Sequence, residues 1–122
     1  MTDLHLRIAP QSAYVGEETV PIAPLASALA PFLSGDERIL AKLDVQGYEL
    51  GVLRGAREIL PTVRVIEAEM STRPLYEGQP LWDEVVQFVA QAGFELSIAH
   101  ELLIETDTGH LLQLDGVFAR RC

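Results

Sequence analysis

From Arg38 onward the chain alternates short apolar runs with helix-period stripes, and few architectures accommodate that alternation. Ile39 to Val45 is an apolar run with little clean alternation, as expected of a strand covered on both faces. Gly47 breaks it, and Tyr48 to Leu60 reads as a helix. Leu53, Ala56 and Leu60 share one stripe flanked by Val52 and Ile59, with Glu49, Arg54, Arg57 and Glu58 left for solvent. Gly51 and Gly55 lower helix propensity and are expected to permit close packing on a sheet. Pro61 marks the stop. Val63 to Met70 reads as a second strand. Leu81 to Ala92 reads as a second helix with Leu81, Trp82, Val85, Val86 and Val89 on its apolar face and Gly93 as its cap. Phe94 begins a third strand, Asp107-Thr108-Gly109 is a turn signal, and Leu111 to Ala119 is a fourth strand.

The predicted elements are strands near 39–45, 63–69, 95–99 and 111–119 and helices near 48–60 and 81–92. Strands separated by helices imply parallel pairing through right-handed crossovers. No helix separates the last two strands, so the final one is expected to run antiparallel at the end of the sheet. The predicted fold class is α/β: half of a doubly wound sheet, with parallel strands and a C-terminal antiparallel strand. Residues 1–38 are expected to be an irregular N-terminal segment, with a short strand at Thr19–Ile22 and a short helix over Leu25–Leu33.

At 122 residues the chain has the size of one domain, and 48% hydrophobic with 22% charged residues is a globular composition. The single cysteine, Cys122, excludes an intramolecular disulfide and a cysteine-rich zinc site. Nine Lys+Arg against eighteen Asp+Glu give a net charge of −9, which opposes non-specific attraction to nucleic acid or anionic membranes. No signal peptide is visible at Met1 to Arg7. The longest apolar stretch, Pro21 to Leu33, is shorter than the ~20 residues of a membrane span and is broken by prolines. The expectation is a soluble, cytoplasmic protein with no nucleic-acid or membrane partner. His5, His100 and His110 are scattered and match no zinc spacing, so no metal site is expected.

The most informative segment is Lys42-Leu43-Asp44-Val45-Gln46-Gly47-Tyr48-Glu49. An acidic side chain arrives at the carboxyl end of a strand, a glycine follows, and a helix begins. In open α/β sheets ligands bind outside the carboxyl ends of strands, so Asp44, Gln46, Tyr48 and Glu49 are placed where a ligand would be met. The competing reading is a plain strand-to-helix turn in which Asp44 satisfies backbone donors. On the second strand Glu67 and Glu69 point to one face, shared with Val63 and Val65. They either line an acceptor pocket and bind hydroxyls or are solvated strand-end acids. Tyr76, in a loop with Glu77 and Gln79, reads as an acceptor cover or as a surface turn.

The segment Leu43-Asp44-Val45-Gln46-Gly47-Tyr48-Glu49, followed by Val52-Leu53-Arg54-Gly55-Ala56, resembles the hallmark of FkbM-type methyltransferases. The likeness continues through Pro74 to Leu81, Gly93-Phe94 and Gly109 to Phe118, and reaches back to Tyr14-Val15-Gly16 and Val20-Pro21-Ile22. The resemblance implies a Rossmann-like methyltransferase sheet, with Ile39 to Val45 as its fourth strand. It implies an enzyme that transfers a methyl group from S-adenosylmethionine to a hydroxyl of a sugar or natural-product acceptor. Asp44 would then be the catalytic residue, orienting the hydroxyl or accepting its proton. Gln46, Gly47, Tyr48, Glu49, Glu67 and Glu69 would belong to the substrate or cofactor pocket.

The chain departs from the family in two ways. It has no G-x-G, whereas the family's first strand ends in a glycine-rich donor loop and its second in a ribose-binding acid. Ala26 stands where the family commonly has an Asp. Residues 39–122 therefore look like the C-terminal half of such a domain: a truncated gene, a degenerate paralogue or an excised piece. S-adenosylmethionine is expected not to bind this chain alone, and the 39–45 edge is expected to be unpaired and to form a homodimer. The alternative is a non-catalytic α/β assembly or binding module derived from that fold.

Overall fold

A computed structural model describes residues 1–122. The elements are α1 (Asp3–Ile8), α2 (Leu25–Leu29), β1 (Ile39–Leu43), α3 (Glu49–Gly55), β2 (Val63–Ser71), α4 (Trp82–Gln91), β3 (Phe94–Ile104) and β4 (Leu111–Arg120), with short 3₁₀ turns at Pro10–Ser12, Ala30–Phe32 and Leu60–Thr62. The result is a mixed α/β domain with one four-stranded sheet in the order β1-β2-β4-β3. No helix is long and apolar enough to cross a membrane.

β1 and β2 pair in parallel, from Ile39↔Val63 to Leu43↔Ala68. β4 is antiparallel, as expected, but it does not lie at the end of the sheet. It runs between β2 and β3, pairing with both. The reason is the connection at residues 105–110, too short for the crossover that parallel strands need. β3 and β4 form a hairpin, and the free side of β4 zips onto β2 from Val65↔Ala119 to Ser71↔Gln113. β3 therefore never pairs with β2. As the outer strand it leaves Leu96, Ile98, Leu102 and Ile104 exposed.

The core joins Leu50, Leu53 and Ala56 of the α3 segment and Val85 and Val89 of α4 to Leu43, Ile66, Ala68, Met70, Phe94 and Phe118 of the sheet. β1 is covered on one face only: Leu43 is buried, whereas Leu40 is 61% exposed. A register shift between Ile39 and Leu40 skips Arg64 on β2. That bulge separates the two valines expected on one face, burying Val63 in the core and leaving Val65 half-buried in line with Glu67 and Glu69.

The predicted 48–60 helix is shorter than expected. Regular α-helix ends at Gly55, and turns carry the chain to Leu60. Its glycines do not serve the sheet. The Tyr48 ring lies over Gly51, and the backbone of Pro24 and Leu25 at the start of α2 packs on Gly55. Trp82, assigned to the apolar face of α4, is exposed at its first turn. Leu81 caps that helix instead, its N–H donating to the Glu84 carboxylate at 3.2 Å. Thr19–Ile22 forms no strand and is exposed.

Candidate functional site

After Leu43 the chain turns through residues 44–48 into α3. Two successive residues adopt positive φ, Gln46 at 54° and Gly47 at 96°. Glutamine in this region costs on the order of 1 kcal/mol, so the turn must be held from outside. Glu49 holds it: its Oε1 accepts the N–H groups of Val45 and Gly47, both at 3.2 Å. Glu49 is 2% exposed. Expected first on the solvent face and then in the pocket, it instead closes the turn beneath the pocket.

The 72–80 loop folds over this turn. Gln79 Oε1 accepts the N–H groups of Leu75 and Tyr76 at 2.9 and 3.2 Å, and its Nε2 donates to Ser71 Oγ at 2.9 Å. The fold buries Tyr76, leaving it 8% exposed. The Tyr76 hydroxyl donates to Gln46 Oε1, and Gln46 Nε2 donates to Asp44 Oδ1 at 2.9 Å. An exposed carboxylate at the end of β1 is thus oriented by a buried phenol through an amide. Burial, reinforced by the negative charge of Glu69, pushes the Tyr76 phenol up to about 12, so it remains a donor at neutral pH.

α1 closes the back of this loop. Thr2 N–H donates to the Leu75 carbonyl at 2.9 Å, and the Thr2 hydroxyl donates to the Pro74 carbonyl at 3.1 Å. His5 meets the Tyr76 ring edge-on, with centroids 5.0 Å apart. Arg7 pairs with Glu105. A segment expected to be irregular therefore supplies a helix that braces the site.

On β2, Glu69 lies opposite Asp115 of β4 and accepts from the Gln113 amide. Burial pushes its carboxyl up to about 7, and the charges of Asp44, Glu49 and Asp115 add to the effect. Glu67 is turned to Lys42 in a 2.6 Å ion pair, and that bond raises the Lys42 pKa. Tyr48 is exposed and lies against Gly51. The structure thus brings Asp44, Gln46, Gly47 and Glu69 together with Tyr76, and engages Glu49 and Glu67 elsewhere. A hollow of about 450 Å³ lies on the other side of Gly47, lined by Gly47, Tyr48 and Gln79 but not by Asp44, Gln46, Glu69 or Tyr76. No three His, Cys, Asp or Glu side chains gather as a metal site would require.

The parallel β1–β2 pair and its covering helices make this an α/β protein, and the candidate site lies outside the carboxyl ends of those strands. Residues 3–96 match the methyltransferase FkbM domain, and the chain belongs to that family. Comparisons with curated proteins and with solved structures find no match.

Proposed function

We propose that this chain carries the acceptor side of an O-methyl-transferring site, with S-adenosylmethionine as donor and a hydroxyl of a sugar or natural-product scaffold as acceptor. The observation that carries this reading is the Tyr76–Gln46–Asp44 chain of hydrogen bonds at the end of β1, in a member of the FkbM family. The strand order β1-β2-β4-β3 supports treating the sheet as part of a Rossmann-like methyltransferase fold. Asp44 orients the acceptor hydroxyl and accepts its proton. Glu69, with a carboxyl that titrates at about 7, is a second proton-accepting group on the same side.

The donor supplies an electrophilic methyl group. The residues here suit only its cationic character, through the negative charge of Asp44, Glu69 and Asp115. A Cβ at Gly47 would meet Tyr76 at 3.1 Å and Gln79 at 3.2 Å, so the bare face of that glycine is already filled. These residues do not make a complete donor site, and weak or no binding of S-adenosylmethionine is expected from this chain alone. Amide NMR titration of the chain with a panel of sugars tests the acceptor side without the donor. Saturable shifts should centre on the Asp44 turn, and Asp44→Asn should weaken binding about tenfold without loss of folding. Binding unaltered in that variant would end the reading.

A second reading, a non-catalytic assembly module, is favoured by the position of β1 as an outer strand with Leu40 exposed. Such an edge is a template for another chain. An antiparallel homodimer centred on Ala41 sets Arg38 of each copy opposite Asp44 of the other. Light scattering across a concentration series should then report twice the monomer mass, and a clean monomer at high concentration would remove this reading.

A further inference from the structure

The amino ends of β1 and β2 lie roughly 17 Å from the Asp44 turn, given the strand run from Ile39 to Asp44 at ~3.3 Å per residue. A second hollow opens there, about 400 Å³ in volume. That volume falls in the range of small-molecule sites, roughly 300–1,000 Å³. It is lined by Arg57, Arg120, Phe88, Gln91 and Pro61 among others, and no acidic residue lines it. This is unusual in a chain that carries eighteen acids and nine bases.

Both guanidinium groups are held in place. Arg120 Nε donates to the Val63 carbonyl at 2.8 Å, and its Nη2 donates to the Leu60 carbonyl. Its Cζ lies 4.4 Å from the centre of the Phe94 ring. Arg57 stacks over Phe88 at 5.3 Å. Neither makes an ion pair: the carboxylate partners in this protein go to Arg7, Lys42 and His110. Arg120 is half-buried, its Nη1 has no hydrogen-bond partner within the chain, and no carboxylate pairs with it. A half-buried cation without a counter-charge is costly, and an anion in the hollow would offset that cost. Planar guanidiniums fixed by ring stacking suit the oxygens of phosphate and carboxylate, while Phe88 and Pro61 offer an apolar wall.

We propose that this hollow binds a small organic oxyanion, a phosphomonoester or carboxylic acid on a flat apolar body, at a site separate from Asp44. The proposal does not depend on methyl transfer. The test is a two-dimensional amide NMR titration of the full chain with phenyl phosphate, benzoate and the uncharged benzyl alcohol. Phenyl phosphate, benzoate or both should shift the amides around Arg57, Gln91 and Arg120 saturably, the tighter ligand naming the anion, and benzyl alcohol should not. Arg57 is exposed and makes no hydrogen bond, so Arg57→Gln should keep the fold and weaken binding about tenfold. Arginines that serve only the nearby carbonyls and rings would give no saturable response. That result, binding unaltered in Arg57→Gln, or shifts centred on the Asp44 turn would each overturn the proposal.

Discussion

The two ends of the β1–β2 pair solve the same backbone problem with opposite charges. Where β1 passes into α3, N–H groups point away from any ladder, and the Glu49 carboxylate collects two of them. Where the α3 segment passes into β2, carbonyls are left over, and the Arg120 guanidinium collects two of those. Helix starts expose donors and helix ends expose acceptors, so a parallel β-α-β unit concentrates acids at one end of its strands and bases at the other. The charge that closes each turn also sets the potential a ligand meets there.

Removing the closing group tests the comparison most severely at the acidic end. Glu49→Ala leaves two part-buried donors unpaired beside a strained Gln46, and is expected to cost about 2–4 kcal/mol in urea unfolding. Glu49→Gln, which keeps one acceptor oxygen, should recover part of this. At the basic end, Arg120→Met keeps an unbranched apolar stem but removes the guanidinium, freeing the Leu60 and Val63 carbonyls. A loss of about 2 kcal/mol by the same measurement is expected. If the acidic variant cost no more than the basic one, the greater strain assigned to the β1–α3 turn would be mistaken.

Glu69 sharpens the comparison through pH. Its carboxyl is raised from 4.5 to about 7, so the folded protein holds a proton there that the unfolded chain releases. The stability linked to that proton is fully present below about 4.5 and is lost as pH rises toward 7. Solvent screening of this half-exposed group reduces the effect to about 1–2 kcal/mol. Glu69→Gln should remove the decline between those pH values in thermal unfolding followed across pH. An unchanged slope in the variant would mean that another group titrates.

The strongest elements were legible because their patterns are local. The Val85/Val89 stripe of α4 and the apolar run of β1 identify themselves by period and composition alone. The Asp44–Gly47 turn was legible as a break. The role of Glu49 was not, because a helical position open to solvent and one folded back onto its own turn have the same spacing. Tyr76 read equally as a cover or a surface turn. Its burial depends on Gln79 reaching Ser71 and on α1 lying behind it, both contacts between distant parts of the chain. The placement of β4 between β2 and β3 was missed for a similar reason: the short connection specifies a hairpin but not which strand its free side will join.

By itself, the sequence determined the alternating α/β order, the strand-to-helix turn at Asp44–Gly47 and the family likeness, because each is written in neighbouring residues. The family match confirms the last of these over residues 3–96. Tertiary structure alone decided which carboxylates remain available. Lys42 took Glu67, two backbone N–H groups took Glu49, and burial beside Asp115 set Glu69 apart. Charge and hydrogen-bonding capacity belong to a residue, but its partners are set by chain segments that meet only once the sheet has formed.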